Sequence, residues 1–503
     1  MHDLPHDHHH NEPGFDDEAE HPLWKLDTIT LTSVGIDVGT ATSQIIFSQL
    51  VLRRLGKELS SRFVVTQRDT LYLSPVHFTP YTGNRERIDD QALGLLVDTA
   101  YREAGLSPRD IDTGAIILTG EAIRRDNARA IADLFASQRG SFVCATAGHN
   151  FEALLAAHGS GAVAYSAEKQ CRALNIDIGG GTTKLAVAER GRVLGTAAFH
   201  VGGRLLASDP DGTITVLEDA GQMLARLAGI QWQNGRRVTG AEIDQVANYM
   251  AQAVLSLVRD DAPASDLARL WLTEPLTGPK RYDAVIFSGG VGEYVYSQES
   301  RSFGDLGVSL GRALRSRIND GEIPWPIAPA RERIRATVMG AAQHTVQVSG
   351  NTIYCSDQNL LPQKNLQVLR PEVDLSGDII SAQITDAIEK HFRAFDLREG
   401  QTQVALVFRW DGPPSAARIA AFCRGIIDSL PETLKTRRPI YLVFDGDLAG
   451  LVGKILRDDF SIESPLLCLD GVTLSDFDFI DLGKTLEPSG TVPVTIKSLV
   501  FHM

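Results

Sequence analysis

Two short segments of the chain each join an aspartate to a turn rich in glycine and threonine. The first reads GIDVGTATSQIIF over residues 35–47, and the second reads NIDIGGGTTKLAV over residues 175–187. They align without a gap and place Asp37 over Asp177, so the chain contains the same strand-and-turn motif twice. Backbone N–H groups in such turns can bind a polyphosphate, because glycine leaves no side chain in the way.

Both turns also supply groups for a metal–nucleotide complex. Asp37 and Asp177 stand near the end of a predicted strand, where a carboxylate can hold Mg²⁺ directly or through water. Threonine hydroxyls add further hydrogen-bond donors for phosphate oxygens. The candidate phosphate-binding residues are Gly39, Thr40, Ala41, Thr42, Gly179, Gly180, Gly181, Thr182 and Thr183.

A third glycine turn follows an apolar segment further along the chain. In YDAVIFSGGVGEYV, over residues 282–295, the strand pattern gives way to Gly289, Gly290 and Gly292. One such turn is typical of an ordinary tight hairpin. Two aligned copies and a third glycine turn together favour nucleotide binding.

Strands and helices must hold these turns in place. The pattern predicts strands near 33–38, 43–50 and 114–119 and an apolar helix near 90–104. A first lobe over 29–175 and a second lobe over 176–352 would then each open with a strand–turn–strand unit. In the second lobe, Thr239-Gly240-Ala241-Glu242 has the spacing of a helix capping box.

The predicted pattern of secondary structure changes after about residue 353. Apolar strand patterns alternate there with helical patterns, which predicts a parallel sheet with helical crossovers. Residues 353–503 are therefore predicted to form a C-terminal α/β domain, with GTVPVTIKSLVF as a terminal strand.

Composition limits the class of protein. Charged residues make up 22% and hydrophobic residues 43% of the 503, as expected for a globular protein of several domains. Of the net charge of −14, about half comes from residues 1–28, which hold eight acids and six of the thirteen histidines. This segment is predicted to be a disordered tail.

The remaining charge is only mildly acidic, which argues against a nucleic-acid partner. The five cysteines are scattered, as expected in a reducing cytosol, and no apolar run is long enough to cross a membrane. These features indicate a cytoplasmic protein.

The three glycine turns resemble the phosphate 1, phosphate 2 and adenosine motifs of the actin, Hsp70 and sugar-kinase superfamily. That resemblance implies duplicated actin-like (RNase H-like) lobes that close over ATP or ADP and Mg²⁺, followed here by the α/β domain. It assigns Asp37 and Asp177 to the metal, and it assigns the glycines of residues 289–292 to the adenosine. Two segments resemble its interlobe hinges, residues 145–162 and 337–347.

In the first hinge, superfamily members that hydrolyse ATP carry a residue that orients the attacking water. The alignment puts this place at His149 or Asn150, with Glu152 close by. Glu152 is either that water-orienting base or an acid on a helix surface.

A more specific resemblance extends from about residue 30 to the C-terminus. LNIDIGGGTTK, HVGGRLL, FSGGVGE, RATVMGAAQHT and VPVTIKSL are similar, in the same order, to segments of the ethanolamine ammonia-lyase reactivating factor (EutA) family. The resemblance implies an ATP-dependent chaperone that helps an adenosylcobalamin enzyme exchange damaged cobalamin for intact coenzyme. It implies ethanolamine ammonia-lyase as the partner, and the protein could be a homodimer or associate with a bacterial microcompartment.

Three other functions stay open on this sequence. A small-molecule kinase could share the fold, and a non-hydrolysing actin-like scaffold could use ATP structurally. Activators of anaerobic dehydratases share the fold but need a cysteine-bound iron–sulfur cluster, which the scattered cysteines disfavour.

Overall fold

The structure is a computed structural model of the 503-residue chain. It describes residues 28–39, 42–54, 63–75, 77–82, 87–119, 142–259, 265–330, 343–348, 353–485 and 491–499. Thr40 and Ala41 lie outside the described residues, as do the predicted tail up to residue 27 and most of the second hinge segment.

A mixed sheet carries the first glycine hairpin. Its strands and the adjoining ribbon are β1 (Thr28–Val38), β2 (Thr42–Arg54), β3 (Phe63–Leu73), β4 (His77–Phe78), β5 (Tyr81–Thr82), β6 (Arg87–Ile88), β7 (Thr113–Thr119) and β8 (Phe142–Ala147). The order is β3-β2-β1-β7-β8, with β4 beside β2 and β5 paired with β6. Strands β1, β2 and β3 are antiparallel, whereas β7 runs parallel to β1 and β8 parallel to β7.

A second sheet repeats this plan. Its strands and a short ribbon are β9 (Arg172–Ile178), β10 (Thr183–Glu189), β11 (Arg192–Phe199), β12 (Leu206–Ser208), β13 (Ile214–Leu217) and β14 (Ala284–Ser288). The order β11-β10-β9-β14 reproduces β3-β2-β1-β7, with the same parallel and antiparallel pairings. The register agrees as well, because Asp37 faces Gln44 and Asp177 faces Lys184. The duplication read from the sequence is therefore a duplication of structure.

Helices cover these two sheets. They are α1 (Asp90–Ala104), α2 (His149–Gly159), α3 (Ala162–Glu168), α4 (Asp219–Leu227), α5 (Gly240–Arg259), α6 (Ser265–Ala268), α7 (Gly289–Val295) and α8 (Gly307–Asn319), with a 3₁₀ turn at Pro108–Asp110. Helix α1 has the predicted bounds because both ends are capped. The Asp89 carboxylate accepts from the Ala92 N–H at 2.9 Å, and Gly105 ends the helix with φ of 67°.

A third sheet contains the remaining described strands. These are β15 (Gln343–Val348), β16 (Tyr354–Cys355), β17 (Gln363–Leu369), β18 (Val404–Phe408), β19 (Ile440–Phe444), β20 (Leu466–Leu469), β21 (Asp478–Leu482) and β22 (Pro493–Ser498). The order is β15-β22-β21-β17-β18-β19-β20-β16, and β17 to β20 are mutually parallel, as predicted. The outer strands are antiparallel, so the sheet is mixed.

Helices in the connections of the parallel strands bury one apolar face of the third sheet. They are α9 (Ser381–Ala394), α10 (Ala416–Ser429), α11 (Pro431–Lys435) and α12 (Ala449–Asp458), with a 3₁₀ turn at Gln358–Leu360.

The fold prediction is confirmed: two lobes of one strand order are followed by an α/β unit. The predicted boundary between 352 and 353 falls after β15, which already pairs with β22, and the boundary at 175 falls inside β9. The domain division stays a proposal.

Helix α2 is shared between the second sheet and the third. Phe151, Leu154 and Leu155 belong to the hydrophobic cluster of the third sheet. The ring of Phe151 lies 5.2 Å from that of Phe395 and 5.7 Å from that of Phe477, centroid to centroid. The opposite side of the same helix contacts β10 and β11. The first predicted hinge thus contains a helix packed on both sides.

We expect Phe151→Ala to destabilise the protein by about 3–5 kcal/mol, because it removes a buried ring that joins two packed units. Phe303→Ala is the matched control, since that ring is 43% exposed and its loss should change the free energy of unfolding by less than about 0.5 kcal/mol. Urea unfolding followed by circular dichroism measures both. Equal losses for the two variants would contradict the shared packing.

Candidate nucleotide site

The first glycine hairpin is closed by a backbone hydrogen bond and held from the side. The Gly39 N–H donates to the Thr42 carbonyl at 2.9 Å. The Thr79 hydroxyl donates to the Gly39 carbonyl at 2.7 Å and lies 3.0 Å from the Ser43 hydroxyl. The bond pattern fixes the two ends of the turn, between which Thr40 and Ala41 lie outside the described residues.

The second glycine hairpin has the same closing bond. The Gly179 N–H donates to the Thr182 carbonyl at 3.0 Å. Thr183 was a candidate phosphate donor, but its hydroxyl donates to the Val201 carbonyl at 2.7 Å and the residue is fully buried. Its role in the structure is to tie the hairpin to the segment after β11. A phosphate contact would have to come from the backbone of the turn or from Thr182.

A loop after β11 packs directly against this second hairpin. The Gly203 N–H donates to the Gly179 carbonyl at 2.9 Å, and the Arg204 N–H donates to the Gly180 carbonyl at 2.6 Å. A Cβ on Gly202 would lie 2.3 Å from the Gly180 carbonyl oxygen. The glycines of HVGGRLL therefore allow the backbone of this loop to support the candidate phosphate turn.

Asp177 is buried at the end of β9 and is oriented by a hydrogen bond. The Ser288 hydroxyl donates to its Oδ1 at 2.6 Å, and Asn175 Nδ2 donates to the same hydroxyl at 3.1 Å. Burial raises the pKa of the Asp177 carboxyl, whereas the Lys184 ammonium and the Ser288 hydroxyl oppose that rise. Asp177 thus has a fixed direction and a nearby positive charge that favours its ionised form.

Glu152 forms a buried ion pair with Lys184. Both residues are nearly inaccessible, at 6% and 5% exposure, and Lys184 Nζ contacts Glu152 Oε1. The other carboxylate oxygen, Oε2, is buried without a hydrogen-bond partner. The prediction that Glu152 could be an acid on a helix surface is wrong, because this face of α2 packs on β10. Burial raises the pKa of the Glu152 carboxyl and Lys184 opposes the rise.

The ammonium of Lys184 lies beneath the second glycine turn. Its Nζ would be 3.8 Å from a Cβ placed on Gly179. Above the turn there is room, because a Cβ on Gly181 would meet no atom within 4 Å. A turn with an open outer surface and a buried cation below it fits the phosphates of a nucleotide.

The two hairpins are linked across the lobes by an arginine–aromatic contact. The Arg204 guanidinium lies 3.6 Å from the ring centroid of Phe78, and Phe78 pairs with Thr42 at the first hairpin. Because the Arg204 N–H binds Gly180, this single residue joins the surroundings of both turns. The structure therefore brings the two predicted phosphate motifs together.

The copies differ in charge even though their backbones match. Asp37 is half-buried and faces Gln44, whereas Asp177 is buried and faces Lys184. A neutral amide thus occupies in the first lobe the position that an ammonium occupies in the second. The Lys184 ammonium is balanced by Glu152, so both turns would rely on backbone N–H groups to bind phosphate, and Asp37 and Asp177 could hold Mg²⁺ through water.

The predicted adenosine motif is the start of a helix and not only a turn. Gly289 has φ of +78°, and a Cβ there would lie 2.4 Å from the Ile178 carbonyl oxygen. Helix α7 begins at this residue and includes Gly290 and Gly292. The motif is thereby packed against the end of β9, next to Asp177, and the structure brings it to the same side as the second hairpin.

No group of three or more metal-ligating side chains occurs among the residues that the structure describes. A magnesium ion held mainly by water, phosphate and one or two carboxylates needs no such group. Within the same described ranges, no helix has the length and hydropathy needed to cross a membrane.

Sequence reasoning missed the roles of Lys184, Ser288 and Arg204. Lys184 was visible in the alignment of the two copies, opposite Gln44, as the change from amide to cation. Ser288 precedes the third glycine turn, and Arg204 follows the glycines of HVGG. The side-chain partners Glu152, Asp177 and Phe78 lie 32, 111 and 126 residues away, so spacing along the chain could not reveal these three contacts.

Two lobes of one strand order, each with a glycine turn at the tip of its central hairpin, define the actin-like class of α/β proteins. Within that class, the chain belongs to the family described as ethanolamine utilisation protein EutA, whose model matches residues 29–502.

Two curated relatives match the chain over nearly its whole length. One, from Salmonella typhimurium (strain LT2), is 34% identical over 482 residues, which is 95% of this chain and 100% of the relative. The other, from Escherichia coli (strain K12), is 34% identical over 484 residues with the same two coverages. Each is described as ethanolamine ammonia-lyase reactivase EutA.

Solved structures are more distant. The ethanolamine utilization protein EutJ from Carboxydothermus hydrogenoformans is 15% identical, with a TM-score of 0.30 over 61% of this chain and 87% of that one. MreB5 of Spiroplasma citri, bound to ADP, is 16% identical with a TM-score of 0.30 over 61% and 94%. These likenesses are too weak for an argument about the site.

We expect Lys184→Met alone to destabilise the protein by about 3–5 kcal/mol, because it leaves the Glu152 carboxylate buried without its cation. Adding Glu152→Gln should recover part of that loss. A double-mutant cycle measured by urea unfolding should then give a coupling of roughly 1–3 kcal/mol. If the changes in the free energy of unfolding of the two single variants add up to that of the double variant, the buried ion pair is contradicted.

Proposed function

We propose that the protein is an ATP-dependent reactivating factor for the adenosylcobalamin enzyme ethanolamine ammonia-lyase. It would promote the exchange of damaged cobalamin for intact coenzyme during ethanolamine utilisation. The observation that carries the proposal is the pair of matching glycine hairpins, joined by Arg204 and Phe78, in a member of this family. Full-length relatives named as reactivases supply the partner.

The chain's own residues suggest how a nucleotide would be held. The backbone N–H groups of Gly180, Gly181 and Thr182 would donate to phosphate oxygens, because the Gly179 N–H already binds the Thr182 carbonyl. The Lys184 ammonium lies below the turn. Asp177 and Asp37 would orient the water shell of Mg²⁺. The adenosine would lie at the start of α7 against Gly290, which is half-buried, whereas Gly289 and Gly292 are buried against β9 and β14.

Glu152 is proposed to orient the attacking water. Its Oε1 is bound by Lys184, while the partnerless Oε2 is available to accept a proton or a hydrogen bond. When bound, Mg-ATP supplies a γ-phosphate whose loss changes the charge between the two hairpins. Because Lys184 pairs with Glu152 and also lies under the phosphate turn, the base and the anion site share one cation.

Movement between the lobes would couple this site to the partner. Phe78 is 51% exposed and meets Arg204 at the lobe junction, so the contact can be made and lost without opening a core. A ligand that binds the closed arrangement more tightly than the open one would shift the population towards closure. We propose that this shift changes affinity for the lyase, in the cytoplasm or in a microcompartment, by a monomer or a homodimer.

The test uses ethanolamine ammonia-lyase inactivated with hydroxocobalamin, mixed with the protein, adenosylcobalamin, ATP and Mg²⁺. Ammonia formation should recover only when the protein and ATP are both present, and Asp177→Ala, which removes a proposed magnesium ligand, should abolish the recovery. Recovery without ATP would overturn the dependence on ATP. No recovery would overturn the reactivating role, and would favour the kinase if ATP is hydrolysed or the scaffold if ATP is only bound.

We expect Gly181→Ala to weaken binding of Mg-ATP by about tenfold, because the new methyl group would occupy the open space above the turn. Gly94→Ala is a matched control: its Cβ also meets no atom within 4 Å, but it lies in α1. Isothermal titration calorimetry compares the two variants. Unchanged affinity in Gly181→Ala would contradict the placement of the phosphates.

Glu152→Gln should lower ATP turnover by about 10²-fold or more, since an amide cannot act as a base. Because it also leaves the Lys184 ammonium buried without its carboxylate, the variant is compared with wild type at a temperature at which urea unfolding shows both to be folded. Phosphate release measures the turnover of both proteins. Turnover that persists at the wild-type rate would assign the water-orienting role to another residue.

A further inference from the structure

Helix α2, which carries Glu152, is capped by a residue of the third sheet. The helix follows Gly148, which has no side chain to cap it. Instead, the Phe151 N–H donates to Asp396 Oδ2 at 2.8 Å, and Asn150 Nδ2 donates to Asp396 Oδ1 at 2.9 Å. Asp396 follows α9 and is 245 residues later in the chain than the amide it caps.

The backbone on both sides is adapted to this contact. A Cβ on Gly148 would lie 2.5 Å from both Cβ and Cγ of Asp396, so glycine is required for the carboxylate to reach the helix end. Asp396 itself has φ of 54° because it ends helix α9: its N–H donates to the Arg393 carbonyl, and the Leu397 N–H donates to the Phe392 carbonyl. The end of α9 thus presents the Asp396 carboxylate to the start of α2, and the absence of a Cβ on Gly148 allows the close approach.

Neighbouring contacts make the connection continuous. Phe395, which precedes Asp396, packs against the Phe151 ring. Asn150 also accepts a hydrogen bond from the Thr196 hydroxyl of β11 at 2.9 Å. The first turn of α2 is thus held by the third sheet on one side and by the second sheet on the other.

Glu152 directly follows the capped amide of Phe151. A change in the position of this first turn must move the Glu152 carboxylate relative to Lys184, because the turn is one hydrogen-bonded unit. Asp396 as a whole residue is exposed to solvent, but its carboxyl is held against the end of α2, and this burial raises its pKa.

We propose that Asp396 is a positioning residue that couples the unit of the third sheet to the Glu152–Lys184 pair, so that the contact between Asp396 and α2 sets the rate of ATP turnover. This inference rests on the proposed function, because it assigns a regulator to the same site. Asp396 does not touch the nucleotide; it acts by holding the helix that carries the base.

The charge of Asp396 acts on the same carboxyl. Burial raises the pKa of Glu152, Lys184 opposes the rise, and the negative charges of Asp177 and Asp396 add to it. A base is active when ionised, so turnover should rise with pH through the pKa of Glu152. Removing the Asp396 charge lowers that pKa and should move the rising limb of the pH profile towards lower pH.

The experiment compares the full-length wild type with Asp396→Ala, Asp396→Asn and Gly148→Ala. Asp357→Asn is the control, because Asp357 caps the 3₁₀ turn at Gln358–Leu360 through hydrogen bonds to Asn359. For each protein, ATP turnover is measured against pH, affinity for Mg-ATP by calorimetry, and exchange of the amides of residues 149–153 by hydrogen–deuterium exchange without nucleotide.

We expect Asp396→Ala and Gly148→Ala to lower turnover by about tenfold, with affinity for Mg-ATP within about twofold and faster amide exchange at the start of α2. Asp396→Asn keeps an acceptor for Phe151, so it should retain more turnover but show the pH shift. Asp357→Asn should match the wild type in all three measurements.

The coupling is overturned if the Asp396 variants keep the wild-type turnover and pH profile, or if amide exchange at the start of α2 is unchanged. If the wild type itself hydrolyses no ATP, the proposed function fails and the exchange measurement decides the coupling. Faster exchange in Asp396→Ala and Gly148→Ala, but not in Asp357→Asn, then supports the cap, and equal exchange refutes it.

Discussion

The site depends on one buried ion pair, between Lys184 on the second glycine hairpin and Glu152 on helix α2. Removing either partner would leave an uncompensated charge inside the protein, which is strongly unfavourable. The pair therefore fixes the helix against the hairpin and sets the distance between the proposed base and the phosphate turn. A buried ion pair adds little to stability, because the desolvation of two charges offsets their attraction. We therefore interpret the pair as the contact that holds the proposed base, Glu152, in position relative to the second hairpin.

The backbone around the ion pair is present in both lobes, but only the second lobe has the lysine that forms the pair. Both lobes have the same strand order and the same Gly-to-Thr closing bond, which follow from a shared hairpin geometry. Only the second copy places a cation opposite its aspartate. The third sheet then adds a feature outside the duplication, because it packs on α2 and caps it through Asp396. One helix consequently connects the second lobe to the unit of the third sheet.

Much of this arrangement could be predicted from the sequence because its signals are local. The bounds of α1, the capping box of α5, in which Thr239 and Glu242 exchange hydrogen bonds, and the alternating strands and helices after 353 all depend on neighbouring residues. The environment of Glu152 could not be predicted, since its burial follows from packing against strands far along the chain. The cap by Asp396 was also hidden, because a glycine before a helix does not indicate which distant carboxylate will replace its missing side chain.

The most direct test of the account is a crystal structure of the protein with Mg²⁺ and a non-hydrolysable ATP analogue. The account predicts phosphates between the two glycine hairpins, within hydrogen-bond distance of the backbone N–H groups of Gly180, Gly181 and Thr182. Lys184 should lie beneath them, and Glu152 Oε2 should face the terminal phosphate through a water. A nucleotide bound to one lobe without the second hairpin, or at the carboxyl ends of the parallel strands of the third sheet, would contradict it.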